Sequence, residues 1–254
     1  MNDRLIIAST ARAEDGAYLA MADIAELTAA TGTEYRIIGG HMVTAHAARH
    51  NLDLPLRQTQ DADLGLEASV LASSGLAGAL LGRGYEQRGG NRFIRAHDDQ
   101  ELAIDVLVPA ETSRVRHSRP VGDLFVDEAP GLQYALARKP FLGRLEVQLT
   151  TGESLRLTVY FPDAVAALCL KVAAFNSRRQ SRDAVDVWRL LETLNADGMT
   201  AEAWPNSPTP RKTAEYLHRD FLPVTGAGVR AATRAPQLQT RVRALVSRVV
   251  GAPD

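Results

Sequence analysis

The chain has little of what marks secreted or membrane-embedded proteins. Among its 254 residues there is one cysteine, Cys169, which has no second cysteine with which to form a disulfide. A reducing, cytoplasmic setting is therefore expected. Nothing near Met1 combines a basic region, an apolar stretch and a small-residue cleavage site, and no apolar run is long enough to cross a bilayer. We expect neither a leader nor a membrane partner.

An excess of charge of one sign is also lacking. The formal net charge is −1, so the protein as a whole does not attract nucleic acid. Basic residues are nevertheless concentrated in the segment 206–250, which contains eight Lys or Arg and two acidic residues. Any contact with nucleic acid is therefore expected to be local. With 45% hydrophobic and 23% charged residues, the composition is that of an ordinary folded protein.

The spacing of apolar residues divides the chain into two parts. Residues 14–31 have helical spacing, residues 35–38 predict a short strand that ends at Gly39-Gly40, and residues 41–51 predict a helix. The other elements expected in this part are strands at 60–66, 85–94, 101–108, 145–149 and 154–160, and a helix at 67–81. The segment 109–130, with prolines at 109, 120 and 130, is expected to be a loop, and the strands at 145–149 and 154–160 are expected to form a hairpin. Beyond this hairpin the pattern is helical. We expect an α+β fold, with a mixed sheet flanked by helices in residues 1–160 and a mainly helical lobe in residues 161–254.

Three aspartates form the most informative pattern. Asp61 and Asp63 alternate with apolar residues, so a strand would place both carboxylates on one face, about 7 Å apart at Cα from a rise of ~3.3 Å per residue. Asp105 interrupts the apolar run 101–108, where an unpaired carboxylate is costly. Because Mg²⁺ prefers carboxylate and phosphate oxygens, the three aspartates are candidate metal ligands.

The same aspartates have simpler explanations. Asp61 and Asp63 are also typical of solvent-facing positions on an edge strand, and Asp105 is typical of a charge at a strand boundary. A salt bridge from Asp105 to Arg57 or Arg95 would satisfy its carboxylate equally well. The residue types alone leave these alternatives open.

The pair Gly39-Gly40 lies between a predicted strand and a predicted helix. Two glycines at this position allow backbone amides to approach a phosphate, and the helix N-terminus adds partial positive charge. A tight turn without a ligand is the simpler alternative. His41, next to the pair, would either contact the phosphates or cap the turn.

A stretch of mixed charge begins at Lys171, directly after an apolar run. On one continuous helix a single face would be shared by Lys171, Arg178, Arg182 and Asp186. A lysine that reaches a triphosphate would explain why a charge follows an apolar run. A solvated stripe of ion pairs is the alternative.

Helix geometry limits what this stretch can do. Fifteen residues of helix span roughly 22 Å at a rise of ~1.5 Å per residue, too far for Lys171 and Asp186 to meet one phosphate group. If both serve one site, the chain must turn between them. Asn176-Ser177 and Gln180-Ser181 are the expected places, with Ser181 as an N-cap.

Taken in chain order, these motifs resemble one family. The order is Ile37-Ile-Gly-Gly40, Arg57-Gln-Thr59-Gln-Asp61-Ala-Asp63-Leu64, Ile104-Asp105-Val-Leu107, Lys171, and Arg178-x-x-x-Arg182-Asp183-x-x-Asp186. It resembles the AbiEii/MenT-like nucleotidyltransferase toxins, relatives of DNA polymerase β in fold, over about residues 35–191. The resemblance implies a polymerase-β-like nucleotidyltransferase lobe in residues 1–160.

The resemblance also implies a function. It describes a toxin of a bacterial, type IV-like toxin–antitoxin system, which transfers a nucleotide from a nucleoside triphosphate to the 3′ end of tRNA with the help of Mg²⁺. CTP or UTP is the nucleotide that the resemblance favours. A cognate antitoxin would be a further partner.

The family's functional residues carry over onto matching positions. The resemblance implies that Asp61, Asp63, Lys171 and Asp186 are catalytic and that Asp61, Asp63 and Asp105 bind the metal. It implies that the nucleotide contacts are Gly39, Gly40, His41, Arg57, Thr59, Arg178 and Arg182. The sequence departs from the pattern at His41, where many polymerase-β-like enzymes carry serine, and at Arg182, where the family often has lysine.

Other functions and roles remain open. The acceptor could be a small antibiotic or a protein hydroxyl, and the chain could be a non-catalytic nucleotide-binding component on the same scaffold. In the basic segment, Trp204, Tyr216 and Phe221 would either stack on unpaired bases or pack in the core of the helical lobe.

Overall fold

The computed structural model describes residues 4–52, 54, 58–111 and 116–253. Its strands are β1 (Arg4–Ala8), β2 (Arg36–Ile37), β3 (Ala62–Gly65), β4 (Glu86–Gln87), β5 (Arg92–His97), β6 (Gln100–Pro109), β7 (Arg119–Val121), β8 (Leu124–Ala129), β9 (Phe141–Gln148) and β10 (Ser154–Phe161). Its helices are α1 (Arg12–Thr31), α2 (Gly39–Arg49), α3 (Ala68–Ser73), α4 (Leu76–Gly82), α5 (Leu132–Leu136), α6 (Ala164–Arg178), α7 (Ser181–Ala196), α8 (Pro208–Asp220), α9 (Ala227–Ala232) and α10 (Pro236–Val249). The chain is α+β, as predicted.

The larger sheet is mixed, as the sequence predicts. Its strands lie in the order β2, β3, β6, β5, β4, and β8 pairs with both β6 and β7. Strand β6 runs parallel to β3 and to β8 but antiparallel to β5. Because β3 has β2 on one side and β6 on the other, the edge-strand explanation for Asp61 and Asp63 is wrong.

The smaller sheet joins the beginning of the chain to its middle. Strand β1 runs parallel to β9, and β9 pairs antiparallel with β10 in the hairpin that the sequence predicts. Gly152 lies in the turn with a φ of +90°, a backbone conformation that glycine adopts at low cost. The sequence did not predict β1, because its central residues Leu5, Ile6 and Ile7 are all apolar and show no alternation with polar residues.

Other predicted elements differ from the structure. The expected helix at 67–81 is two helices, α3 and α4, which are separated at Gly75, where φ is +74°. The proline-containing segment expected as a loop contains β7 and β8, and α5 follows it. Pro120 fits within β7 because the described partner of this strand is β8 alone, so its missing N–H breaks no ladder on the other side.

The second part of the chain is helical, as expected. Helix α6 begins after Asp163, whose Oδ1 accepts a hydrogen bond from the backbone N–H of Ala166 at 2.9 Å. Helices α6 and α7 pack on each other and both contact α2, which connects them to the larger sheet. Across the described ranges, no helix combines the length and the apolar character needed to cross a membrane. The division into lobes at residue 160 stays a prediction.

The helical stretch that contains Lys171 and Asp186 is broken. Helix α6 ends at Arg178, Arg179 has a left-handed φ of +53°, and α7 begins at Ser181. The predicted turn at Gln180-Ser181 is confirmed, and the face shared along one continuous helix is wrong. Ser181 is not the N-cap, because Gln180 occupies that position without a capping hydrogen bond from its side chain.

The turn brings Lys171 and Asp186 together. Lys171 Nζ lies 2.9 Å from Asp186 Oδ2, and the two side chains are 6% and 0% exposed. A buried carboxylate of this kind depends strongly on its cation, because water cannot replace the lost attraction. The ion pair therefore holds α6 against α7.

We expect Lys171→Met to lower the free energy of unfolding by about 3–5 kcal/mol, because Asp186 stays buried without the lysine ammonium. Lys212→Met is the matched control. It breaks the exposed pair with Glu215, at 2.6 Å, and should leave the urea midpoint close to that of the wild type, because an exposed ion pair contributes little to stability. Equilibrium urea denaturation measures both variants. Replacing Asp186 by Leu in the Lys171→Met background should regain most of the loss, whereas an unchanged midpoint for Lys171→Met would contradict the argument.

Candidate active site

The predicted order of strand, double glycine and helix is present and lies beside Asp63. The backbone N–H of Ile38 donates to the carbonyl oxygen of Asp63 at 2.9 Å. Gly39 then begins α2 with a φ of +71°. A Cβ on Gly39 would overlap the Asp63 carboxylate. Glycine is required here for two reasons, since it adopts the left-handed conformation and leaves room for the carboxylate. Gly40 follows, buried in the first turn of α2.

The three predicted aspartates lie at one end of the larger sheet. Asp63 and Asp105 are register partners in the parallel pair β3–β6, and Asp61 directly precedes β3. Arg92 lies opposite Asp105 in the antiparallel pair β5–β6. Its Nη2 is 2.6 Å from Asp61 Oδ2 and its Nε is 3.1 Å from Asp105 Oδ1. An arginine therefore bridges two of the three carboxylates.

The environment of Asp105 disfavours its charged form. Burial raises the pKa of this carboxyl, the neighbouring carboxylates of Asp63 and Asp61 raise it further, and the Arg92 guanidinium lowers it, with a resulting pKa of about 7. The arginine that pairs with Asp105 is thus Arg92. Arg95, one of the two candidates from the sequence, instead donates to Asp23 Oδ2 at 2.6 Å, and Arg57, the other, lies outside the described residues.

The aspartate cluster fits Mg²⁺ by its chemistry. Carboxylate oxygens are the ligands that this ion prefers, and Asp105 Oδ1 is buried without a hydrogen bond of acceptable geometry. As arranged here, however, no group of three or more His, Cys, Asp or Glu side chains in the described part of the chain could hold a metal ion. Arg92 supplies positive charge to the cluster in this arrangement.

One cavity joins the sheet to the second-part helices. It has a volume of about 230 Å³ and is lined by Gly39 and Asp63 on one side and by Lys171 and Arg178 on the other. Four of the predicted site residues therefore face one space, although more than 100 positions separate Asp63 from Lys171 in the sequence. Residues from both parts of the chain, which the resemblance assigns to one site, therefore line one cavity.

Arg178 is held by a buried acid. Its Nε and Nη2 lie 3.1 and 2.9 Å from the two carboxylate oxygens of Asp183, which is fully buried, whereas Arg178 is 46% exposed. The forked contact fixes the guanidinium at the cavity wall. Arg182 is exposed near the beginning of α7 and does not belong to the described lining of this cavity.

The remaining predicted nucleotide contacts are buried or undescribed. His41 is 3% exposed, and its ring centroid lies 4.5 Å from that of Tyr18, which gives this histidine a packing role. Thr59 is 6% exposed, with no hydrogen-bond partner for its hydroxyl among the described residues. Arg57 lies outside the described residues. A nucleotide contact for these three residues stays a prediction.

Sequence reasoning missed several charged residues of this region. Arg92 lies opposite Asp105 because of the register between β5 and β6, which are joined by the turn at Asp98-Asp99. His117 and Asp127 also line the cavity. Both belong to the segment that had been expected as a proline-containing loop, so no periodic signal pointed to them.

The contact between Gly39 and Asp63 gives a mutational prediction. Gly39→Ala should lower the free energy of unfolding by more than Gly32→Ala, by at least about 1 kcal/mol. Gly32 has a similar φ of +65° but nothing within 4 Å of an added Cβ, so its variant reports the left-handed strain of about 1–2 kcal/mol alone. Urea denaturation of both variants gives the comparison. Equal losses would show that Asp63 does not restrict position 39.

The raised pKa of Asp105 gives a pH prediction. Since the folded pKa of about 7 lies above the ordinary value of 3.8, the folded protein keeps a proton that the unfolded chain loses. The resulting stabilisation is full below pH 3.8 and is lost as the pH rises through 7. Asp105→Asn removes this titration. The free energy of unfolding of the variant, relative to that of the wild type, should therefore increase as the pH rises from 5 to 8. Asp123→Asn, at an exposed turn position, should run parallel to the wild type, and parallel curves for both variants would contradict the prediction.

Comparisons with known proteins do not assign the chain to a family. No protein-family model matches the chain, and no curated protein matches it. The resemblance to nucleotidyltransferase toxins therefore depends on the residues themselves and on their order along the chain. Any function has to be argued from the aspartate cluster and from the cavity beside it.

Proposed function

We propose that the chain is a Mg²⁺-dependent nucleotidyltransferase with a polymerase-β-like catalytic lobe. The observation that carries the proposal is the single cavity lined by Gly39 and Asp63 of the sheet region and by Lys171 and Arg178 of α6. It brings the carboxylate of Asp63, which suits a metal, next to cations, which suit phosphates, although Asp61 and Asp105 do not belong to its described lining. Nucleotidyl transfer needs both, because its main difficulty is the negative charge on the triphosphate.

The residues of the cavity have separable roles in this proposal. The N-terminus of α2 at Gly39-Gly40 offers backbone N–H groups and partial positive charge to a phosphate. Lys171 can keep its contact with Asp186 and still direct N–H donors into the cavity, because an ammonium group has three of them. Arg178, fixed by Asp183, adds a second cation. Asp186 therefore positions Lys171 and does not need to touch the nucleotide.

The aspartate cluster is the proposed metal site. Asp61, Asp63 and Asp105 would hold Mg²⁺, which when bound supplies the positive charge that neutralises the triphosphate. The contacts of Arg92 with Asp61 and Asp105 indicate that this cluster already attracts a cation. The same contacts favour a second candidate function, a component that binds nucleotide without catalysis, if the arginine keeps the metal out.

The proposed acceptor is the 3′ end of tRNA, and the proposed biological role is that of a toxin with a cognate antitoxin. Both follow from the resemblance, as does the preference for CTP or UTP. Support from the chain is local: Tyr216 is half-buried on the basic helix α8, and Lys212 Nζ lies 5.1 Å from the centroid of its ring. Trp204 and Phe221, by contrast, are 9% and 0% exposed and belong to the core.

The test is transfer of label from each of the four NTPs, labelled at the α-phosphate, to total tRNA in the presence of Mg²⁺. We expect tRNA to be labelled by the wild type, with no labelling after chelation of the metal. Asp63→Asn should reduce labelling by at least about 100-fold, because it removes a charge that the metal requires. Asp98→Asn is the matched control, since its exposed side chain lies on the turn between β5 and β6.

Other outcomes separate the alternatives. Label on the protein itself or on an added aminoglycoside, with none on tRNA, would retain the transferase and replace the acceptor. Isothermal calorimetry with each NTP and Mg²⁺ tests the remaining alternative. Binding of nucleotide without transfer to any acceptor would favour the non-catalytic component, and absence of both would refute the proposed function.

A further inference from the structure

A second, larger cavity adjoins the first. Its volume is about 560 Å³, and it lies between α6, α8 and the segment around Pro130. The two cavities share four lining residues, which are His117, Pro130, Ala173 and Ser177. Of these four, His117 is the one with a titratable side chain. A molecule in the larger cavity and a nucleotide in the smaller cavity would therefore meet at His117.

A carboxylate contacts this histidine, whose side chain is 76% exposed. His117 Nδ1 lies 2.9 Å from Asp127 Oδ2, while the other oxygen of Asp127 accepts the backbone N–H of Ser118 at 2.9 Å. Because an ionised carboxylate can only accept hydrogen bonds, Nδ1 carries the proton in the neutral ring. The lone pair of a neutral His117 is then on Nε2. A histidine oriented by an acid in this way has the arrangement of a general base.

We propose that His117 is the general base of the transfer reaction and that Asp127 is its positioning residue, with the acceptor in the larger cavity. The inference rests on the proposed nucleotidyl transfer. Nε2 of His117 takes the proton of an acceptor hydroxyl, and the hydroxyl oxygen forms a bond to the α-phosphorus of the NTP. The bond from the α-phosphorus to the bridging oxygen breaks, pyrophosphate leaves, and the imidazolium later releases its proton to solvent.

The larger cavity suits an acceptor that ends in a nucleoside. Tyr216 offers a ring for stacking, and the nearby cations Lys212 and Arg219 lie 5.1 and 4.8 Å from its centroid. Asn176 also lines the cavity; its Oδ1 accepts a hydrogen bond from Arg219 at 2.8 Å, so its amide N–H groups are the donors for a base or a sugar. Cys169 is not a competing nucleophile, because burial raises the pKa of its thiol to about 12 and keeps it neutral.

The experiment compares steady-state transfer by the wild type, His117→Ala, Asp127→Asn and a control. The control is His97→Ala, because His97 also lies near an exposed aspartate, 3.9 Å from Asp98, but lines neither cavity. We expect His117→Ala to lower kcat by roughly 100-fold or more, with the Kd for NTP from calorimetry within about twofold of the wild-type value. Added imidazole should restore part of the activity of His117→Ala. Asp127→Asn should lower kcat by roughly 10-fold without rescue by imidazole, because its histidine still fills the position.

The outcomes distinguish this inference from the function on which it rests. A wild-type protein that labels no acceptor would overturn both. An active wild type with an equally active His117→Ala variant would overturn the role of His117 alone. Loss of activity in His117→Ala without rescue by imidazole, accompanied by loss of NTP binding, would also overturn it, because the residue would then be needed for structure. The His97→Ala variant is expected to keep the wild-type kcat.

Discussion

The arrangement of residues at this end of the larger sheet depends on the electrostatic repulsion among the carboxylates of Asp61, Asp63 and Asp105. The parallel register of β3 and β6 places Asp63 beside Asp105, partly out of water, where like charges repel each other strongly. Three features of the surrounding structure accommodate these carboxylates. Strand β5 supplies the Arg92 guanidinium, α2 begins with a glycine that leaves space for a carboxylate, and Asp105 has a raised pKa. Positive charge therefore stabilises this cluster of carboxylates.

The helices on the other side of the cavity use acids for a different purpose. Asp183 and Asp186 are fully buried, and each contacts a cation that lines the cavity, Arg178 and Lys171 respectively. In both cases the carboxylate is buried and the cationic side chain lines the cavity. The stripe of mixed charge in the sequence therefore corresponds, in the structure, to two cationic side chains that are each held by a buried carboxylate. The turn at Arg179 is essential, because a straight helix would keep Asp186 far from Lys171.

Much of this region could be predicted from the sequence, since its signals are local. A strand followed by two glycines and a helix, alternating aspartates, and a turn forced by helix length each involve neighbouring residues. The position of Arg92 is not local, because it depends on the register between β5 and β6. Arg95 was the natural candidate from the sequence, yet it lies three positions after Arg92, an odd offset, so the two side chains point to opposite faces of the strand. Strand β8 begins with three consecutive apolar residues, Leu124, Phe125 and Val126, and so shows no alternation, which is why Asp127 was missed.

The close approach of Gly39 to Asp63 has an evolutionary consequence. The two positions are not independent, because the side chain at one fills the space that a side chain at the other would need. A glycine at position 63 would free volume at position 39, where asparagine, which tolerates a left-handed backbone, could then be accommodated; an alanine would not, because Asp63 Cβ itself lies 2.9 Å from the added Cβ. Substitutions at the two sites should therefore show epistasis. In homologues that lack the aspartate, position 39 is no longer restricted to glycine. A residue other than glycine at position 39 would therefore indicate a homologue in which the carboxylate cluster has been lost.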